Sequence, residues 1–274
     1  MSESQTKEKT SRAREEAETG QSGEGGNGQQ SGQAAQLPLF YESVEVLTAE
    51  RHKDLAIDEE RSVDFARETI MVPLNAPEFV VASKNYPIVF VGEDPPMPVA
   101  VVGLREGENL FVDDSGKWDS TTYVPAYIRR YPFIFVQRQD GEQLSLAIDT
   151  SADSVGQDKA NKLFDGDQPS ELCTRARDFC VAFHRQFLFT ENLGRELRDK
   201  GLLATNNSTF SLSNGARIGF NNYRAVDEEQ LNALGDDQLV HLHRNGYLAP
   251  IYFHLSSLYN WNDLVRRIER RLAE

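Results

Sequence analysis

Apolar positions become regular only from Leu37 onward. Ahead of them, residues 1–36 are Glu, Gln, Ser, Gly, Lys, Arg, Ala and Thr with almost nothing else, and no aromatic residue. Such a stretch cannot bury enough apolar surface to offset the entropy of ordering it, so a disordered tail is expected. Residues 20–36 read as a flexible Gly/Ser/Gln linker. The first apolar cluster holds Leu39, Phe40, Tyr41, Val44, Val46 and Leu47. Residues 70–74 form a short apolar run, a strand or a lead-in. Pro77 suits the first position of a helix carrying Phe79, Val80 and Val81. The pattern then turns to β. Residues 86–91 and 99–104 are apolar runs around a turn at 93–96, a hairpin signal. Residues 109–112 predict a third strand, closed by the turn chemistry of Asp113, Asp114, Ser115 and Gly116. Residues 125–130 suit one or two helical turns. Residues 133–137 and 144–148 predict two more strands around the turn Gln139, Asp140, Gly141. Roughly five strands joined by short turns favour an antiparallel sheet.

Residues 149–168 are polar and rich in Gly and Asp, the composition of a surface loop. The clearest helix follows. Leu172, Ala176, Phe179, Phe183 and Phe187 recur at three or four, and Leu193 and Leu197 extend the stripe. Ser170 and Glu171 suit its start; Arg198, Lys200 and Gly201 suit its end. Asn214-Gly215 between residues 209–212 and 217–220 signals a hairpin. Asp227 with Gln230 resembles a capping box before Leu231 and Leu234. Asp236 can cap a helix of Leu239, Val240 and Leu242 that stops at Gly246. A last helix follows Pro250 with Ile251, Leu255 and Leu258 inward, and Arg266, Arg267, Arg270 and Arg271 crowd its end. The expected fold is α+β: a central antiparallel sheet packed by the long helix and the C-terminal helices, in a single domain over residues 37–274.

Charge narrows the function. The chain has 43 acidic against 29 basic side chains, a formal net charge of −14. An acidic body repels phosphate backbones, which argues against nucleic-acid binding. The longest apolar runs, such as residues 98–104, fall far short of the roughly 20 residues a membrane span needs. No apolar N-terminal stretch suggests a signal peptide, so a cytoplasmic location is expected. Cys173 and Cys180 stand seven apart on the expected helix, roughly 10 Å between Cα atoms, too far for a disulfide. Both read as core thiols.

The order and spacing of several residues resemble the SapC family of bacterial proteins. Tyr86-Pro87-Ile88-Val89-Phe90 is followed by Gly103-Leu104, then by Gly107, Asn109, Leu110, Phe111 and Trp118. The run from Tyr123 to Phe133, with Arg129-Arg130-Tyr131-Pro132, is the most specific piece. Later come Ile148-Asp149, Leu163-Phe164-Asp165, Gly201-Leu202-Leu203, Val226-Asp227-Glu228 and Pro250-Ile251-Tyr252 with His254. The resemblance spans residues 47–264. Thr150 departs from it, where many members carry an acidic residue after the Asp of the Ile-Asp pair. What the resemblance implies is a soluble protein linked by name to surface-layer assembly and the cell envelope, with no catalytic residues to carry over. Its members' gene neighbours, outer-membrane receptors and halogenase-like proteins, imply partners of those kinds.

Candidate chemistry is sparse. Gly-x-Ser-x-Gly, phosphate-binding Gly loops and Cys-x-x-Cys are all missing. His241 and His243 are two apart, on nearly opposite faces of a helix, which argues against a shared metal. Asp165, Gly166 and Asp167 lack the full pattern of a calcium loop and read as a turn. His254 is the best single histidine, with a hydrogen-bonded structural role as its bland reading. The density of Arg129 and Arg130 beside Tyr123 and Tyr127 is the favoured site. Forked guanidinium donors suit a carboxylate or phosphate, and Trp118 is expected to line the same pocket. The same arginines could instead pair with the protein's own acidic residues. Three readings follow: a non-catalytic binding or assembly protein that needs neither metal nor cofactor, a small-molecule or peptide modifying enzyme, or a surface-layer structural subunit, against which the missing export signal counts. The second requires a pocket joining His254 or Asp149 to Arg129 and Arg130.

Overall fold

The computed structural model describes residues 37–58, 60–137 and 144–273. The tail expected over 1–36 and the turn at 139–141 lie outside the described residues. In chain order come β1 (Val44–Val46), α1 (Ala49–His52), β2 (Ala56–Ile57) and β3 (Met71–Pro73). A 3-10 turn at Ala76–Glu78 runs into α2 (Phe79–Ala82), then β4 (Ile88–Val91) and β5 (Met97–Val101). α3 (Ala126–Arg130) precedes β6 (Phe133–Gln137) and β7 (Leu144–Asp149). Four two-residue strands follow: β8 (Val155–Gly156), β9 (Asn161–Lys162), β10 (Phe164–Asp165) and β11 (Gln168–Pro169). The chain ends with α4 (Glu171–Asp199), β12 (Leu203–Ser211), β13 (Arg217–Val226), α5 (Glu228–Asn232), α6 (Asp236–Arg244), α7 (Leu248–Ser257) and α8 (Trp261–Ala273).

The fold is α+β, with helices and antiparallel sheets. Five strands form the larger sheet in the order β12-β13-β4-β5-β3, and three form a second, β1-β7-β6. The strands of the middle of the chain are therefore divided. The β4–β5 hairpin pairs with β3 on one side, and β13 meets β4 on the other at Arg224 and Phe90. The β6–β7 hairpin takes β1 as its third strand. Asp149 fixes that choice. Its fully buried carboxylate accepts from the N–H groups of Glu42 at 2.8 Å and Ser43 at 3.0 Å, beside β1. Burial alone would raise its pKa, but these bonds and those from Ser151 outweigh it and hold the carboxyl low.

Some elements differ from the sequence pattern. Residues 109–112 make no ladder beyond one bridge, Val112 to Trp118. Their backbone bonds go to scattered partners, Asn109 to Arg67 and Leu110 to Val102, each at 2.8 Å, and the buried Asn109 amide adds its own by donating to the Ala66 carbonyl at 2.9 Å and accepting from the Phe111 N–H at 2.9 Å. Residues 149–168 carry four short strands rather than a bare loop. Gly235, not Asp236, is the N-cap of α6. The last helix is broken by a 3-10 turn at Leu258–Asn260.

α4 holds the two sheets together, touching both β5 and β6. Ser170 caps it by accepting from the Cys173 N–H at 3.2 Å. Its buried stripe includes Cys173, Cys180, Phe183, Leu193 and Leu197. Gly194 lets the helix ride against the β4–β5 turn: a Cβ there would lie 2.2 Å from the Pro96 carbonyl oxygen. Gly201, at φ +64°, ends the last turn in a conformation that other residues rarely adopt. α7 packs on β4 and β13, and α8 buries Trp261 against Phe210, Phe220 and Tyr223. The main core includes Phe79, Tyr86, Phe90, Leu197 and Leu231; a second, around Ile57, Phe133, Ile148 and Leu163, lies with the smaller sheet. Each such side chain contributes about 1.5–3 kcal/mol on burial. Residues 37–274 form one compact unit.

Candidate functional site

α3 is only five residues long, too short to be stable alone, and Glu78 anchors its start. The buried Glu78 carboxylate accepts from the Ala126 N–H at 2.7 Å, the Tyr123 hydroxyl at 2.8 Å and the Asn75 N–H at 2.9 Å. Burial raises its pKa, with these three bonds pulling the other way. Helix geometry then separates the two arginines that follow. Arg129 is exposed. Its guanidinium donates to the Val124 carbonyl at 3.1 Å and the Tyr123 hydroxyl at 2.9 Å, and lies over the rings of Tyr123 and Phe179.

Arg130 is only 9% exposed and is caged by aromatic rings. Its guanidinium carbon stands 4.3 Å from the centroid of Phe183, 4.8 Å from Tyr127 and 5.5 Å from Tyr41. Nε donates to the Tyr41 hydroxyl at 3.2 Å. Among the described residues no carboxylate reaches ion-pair distance of Arg130. The phenols do not neutralise it. Tyr41 commits its proton to the Phe133 carbonyl at 2.7 Å, Tyr127 commits its own to Leu39 at 3.0 Å, and burial raises the pKa of both against the pull of Arg130. Cation–π contacts worth about 2 kcal/mol each when desolvated offset part of the cost of burying the charge. They leave the positive charge uncompensated.

Arg130 meets Arg61, Arg129 and Arg175 in a cleft of about 370 Å³, with Phe179 in its apolar wall and Asp58 as the one carboxylate among the described residues that line it. Asp58 is drawn off by Lys159 at 3.4 Å and the Ala160 N–H at 3.2 Å. Arg61 donates to the Tyr131 carbonyl, and Arg175 reaches Glu171 at 3.8 Å. Four guanidinium groups thus gather in a chain of strongly negative net charge. The arrangement can bind a carboxylate or phosphate through forked donors.

The SapC family model matches residues 47–264. The chain belongs to the SapC family. No curated protein and no solved structure matches it. In this SapC chain the specific run from Tyr123 to Phe133 is the segment that forms α3 and carries both arginines.

The remaining candidates of the SapC chain fall elsewhere. Tyr127 stays with Arg130. Tyr123 stays with Arg129, in a groove beside α2 that Arg130 does not line, and burial next to Glu78 pushes its pKa up to about 12. Trp118 does not share the arginine cleft. It stacks on Phe111, donates to the Tyr86 hydroxyl at 3.1 Å, and lines a separate cleft with Arg267 and Arg271. The intervening residues 119–122 turn the chain away, through Asp119 caps on Thr121 and Thr122. His254 is fully buried, and its Nε2 accepts from the Val226 N–H at 2.9 Å. Neither His254 nor Asp149 lines the arginine cleft. His241 and His243 are both exposed, and His241 pairs with Glu196 at 3.1 Å. Among the described residues no three His, Cys, Asp or Glu side chains converge as a metal site requires. Sequence reasoning missed Glu78, Tyr41, Arg61 and Arg175. Their only local signal was charge or aromaticity, because each reaches the site through the fold.

Proposed function

We propose that this SapC protein is a non-catalytic receptor for a small anionic molecule, with Arg130 as its anchor. The observation that carries the reading is a nine-tenths buried guanidinium with no carboxylate partner among the described residues, in a cleft with three further arginines. A buried charge without a counter-charge costs several kcal/mol, a cost that an anionic ligand would offset. The enzyme reading required His254 or Asp149 to face this cleft, and both are instead held by backbone hydrogen bonds. A role at the cell envelope or surface layer, served from the cytoplasm with a protein partner, goes with the receptor reading. Two buried free thiols, Cys173 and Cys180, are in keeping with a reducing compartment. Among the described residues no helix is long and apolar enough to cross a membrane, so contact with the envelope would run through a partner.

Native mass spectrometry of the protein purified from its own host tests this. The wild type is expected to retain a small anionic molecule, and Arg130→Met to lose it. A wild type that carries nothing, or a molecule retained equally by both proteins, overturns the reading.

A further inference from the structure

Arg130 faces a second pocket. It is about 400 Å³ in volume, lies where β3, β4 and β5 of the larger sheet approach β6 beneath α4, and is overwhelmingly apolar. Leu74, Val99, Ile134, Phe183 and Phe187 are typical of its wall. Polar side chains break the apolar lining at Arg130, Tyr127, His184 and Asn75. Asn75 is 2% exposed, and its side-chain nitrogen, which has no hydrogen-bond partner among the described residues, is itself out of solvent reach. Arg130 is the charge among them without a carboxylate partner among the described residues. Cys180, also in the wall, has its thiol pushed up to about 12 by burial and adds no negative charge. The charge at the pocket's polar end is therefore positive.

We infer that the ligand is an amphipathic carboxylate, its head on Arg130 and its apolar body in the pocket between the sheets. This rests on the anion-receptor reading and adds the ligand's chemical class. A purely hydrophilic anion would use the arginine cleft and leave the apolar pocket unmatched. A neutral apolar molecule would leave Arg130 unmatched. Only a molecule with both parts satisfies both. The protein's own N-terminal residues make a poor occupant. Pro38 lines the pocket, but residues 1–36 hold no Val, Leu, Ile or aromatic side chain to fill it.

Titration calorimetry of the full chain with three probes tests the inference: decanoate, decanol and acetate. Decanoate is expected to bind at least about tenfold more tightly than acetate, because each methylene moved from water adds to affinity. It is also expected to bind at least about tenfold more tightly than decanol, which lacks the charge. His184→Trp, a half-buried position on the pocket wall, is expected to weaken decanoate about tenfold and leave acetate unchanged. If that variant does not fold, the three probes on the wild type still decide. Decanoate no tighter than acetate overturns the inference and leaves the anion reading standing. Decanol as tight as decanoate, with Arg130→Met indifferent, overturns the anion reading as well. No binding of decanoate overturns the inference.

Discussion

His254 has the apolar surroundings of a core residue and the polarity of a ligand. Its ring packs edge-on to Phe90 at 5.1 Å, Nε2 accepts from Val226, and Nδ1 has no hydrogen-bond partner among the described residues. Burial depresses its pKa to about 4, opposed in part by the backbone of Ile88. The neutral form therefore belongs to the folded state, and protonation favours unfolding. Stability from this group is complete above the unfolded pKa near 6.5, falls as the pH drops through that value, and is lost by about pH 4. A shift of this size corresponds to roughly 3 kcal/mol. His254→Gln, which keeps an acceptor for Val226, is expected to flatten urea-measured stability between pH 6.5 and 4. An unchanged slope would show that other groups set the acid sensitivity. The sequence marks His254 as unusual within an apolar segment, but not which way it faces. That is decided by β13, whose Val226 N–H supplies the partner. Arg130 is legible as part of a dense Arg/Tyr run. Its cage is not, because Tyr41 and Phe183 come from segments far away in the chain.

At the scale of elements, the most readable piece is α4, since a stripe recurring at three and four over so long a stretch has only one regular solution. The least readable are the short strands. β1 has three residues and exists because β7 offers an edge and Asp149 binds the backbone before it, which no local pattern encodes. Residues 109–112 have strand-like composition, yet their backbone bonds go to scattered partners. Close approach between elements is equally hidden, and Gly194 is its clearest instance. In an isolated helix, Gly194→Ala would stabilise by about 1 kcal/mol. Here the new Cβ would sit 2.2 Å from the Pro96 carbonyl oxygen, a backbone atom that cannot rotate aside. Overpacking costs about 1–3 kcal/mol, so the clash outweighs propensity. Gly194→Ala is expected to lower Tm by roughly 2–6 °C. A rise in Tm would mean that α4 and the β4–β5 turn separate freely, and that the helix does not fix the sheet edge bordering the apolar pocket.

On the scale of the whole molecule, two fields oppose each other at the site. The net charge of −14 repels an anion at long range, and the arginines attract it at short range. Salt acts on them unequally. At about 0.15 M the Debye length is near 8 Å, so repulsion from distant carboxylates is largely screened. The contact with Arg130 is buried among aromatic rings and is screened much less. An anion held by exposed arginines on a basic surface would weaken as salt rises. Decanoate held by Arg130 in this acidic molecule is expected to bind equally well or more tightly at 0.15 M sodium chloride than at 10 mM, and no more than about twofold more weakly if chloride competes. Calorimetry at the two concentrations measures it. A loss of about tenfold would place the head on the exposed Arg129 and Arg175 rather than on Arg130. The sign of the salt effect therefore separates a deep seat from a superficial one. It does so without any substitution, in a molecule whose overall charge would otherwise turn this ligand away.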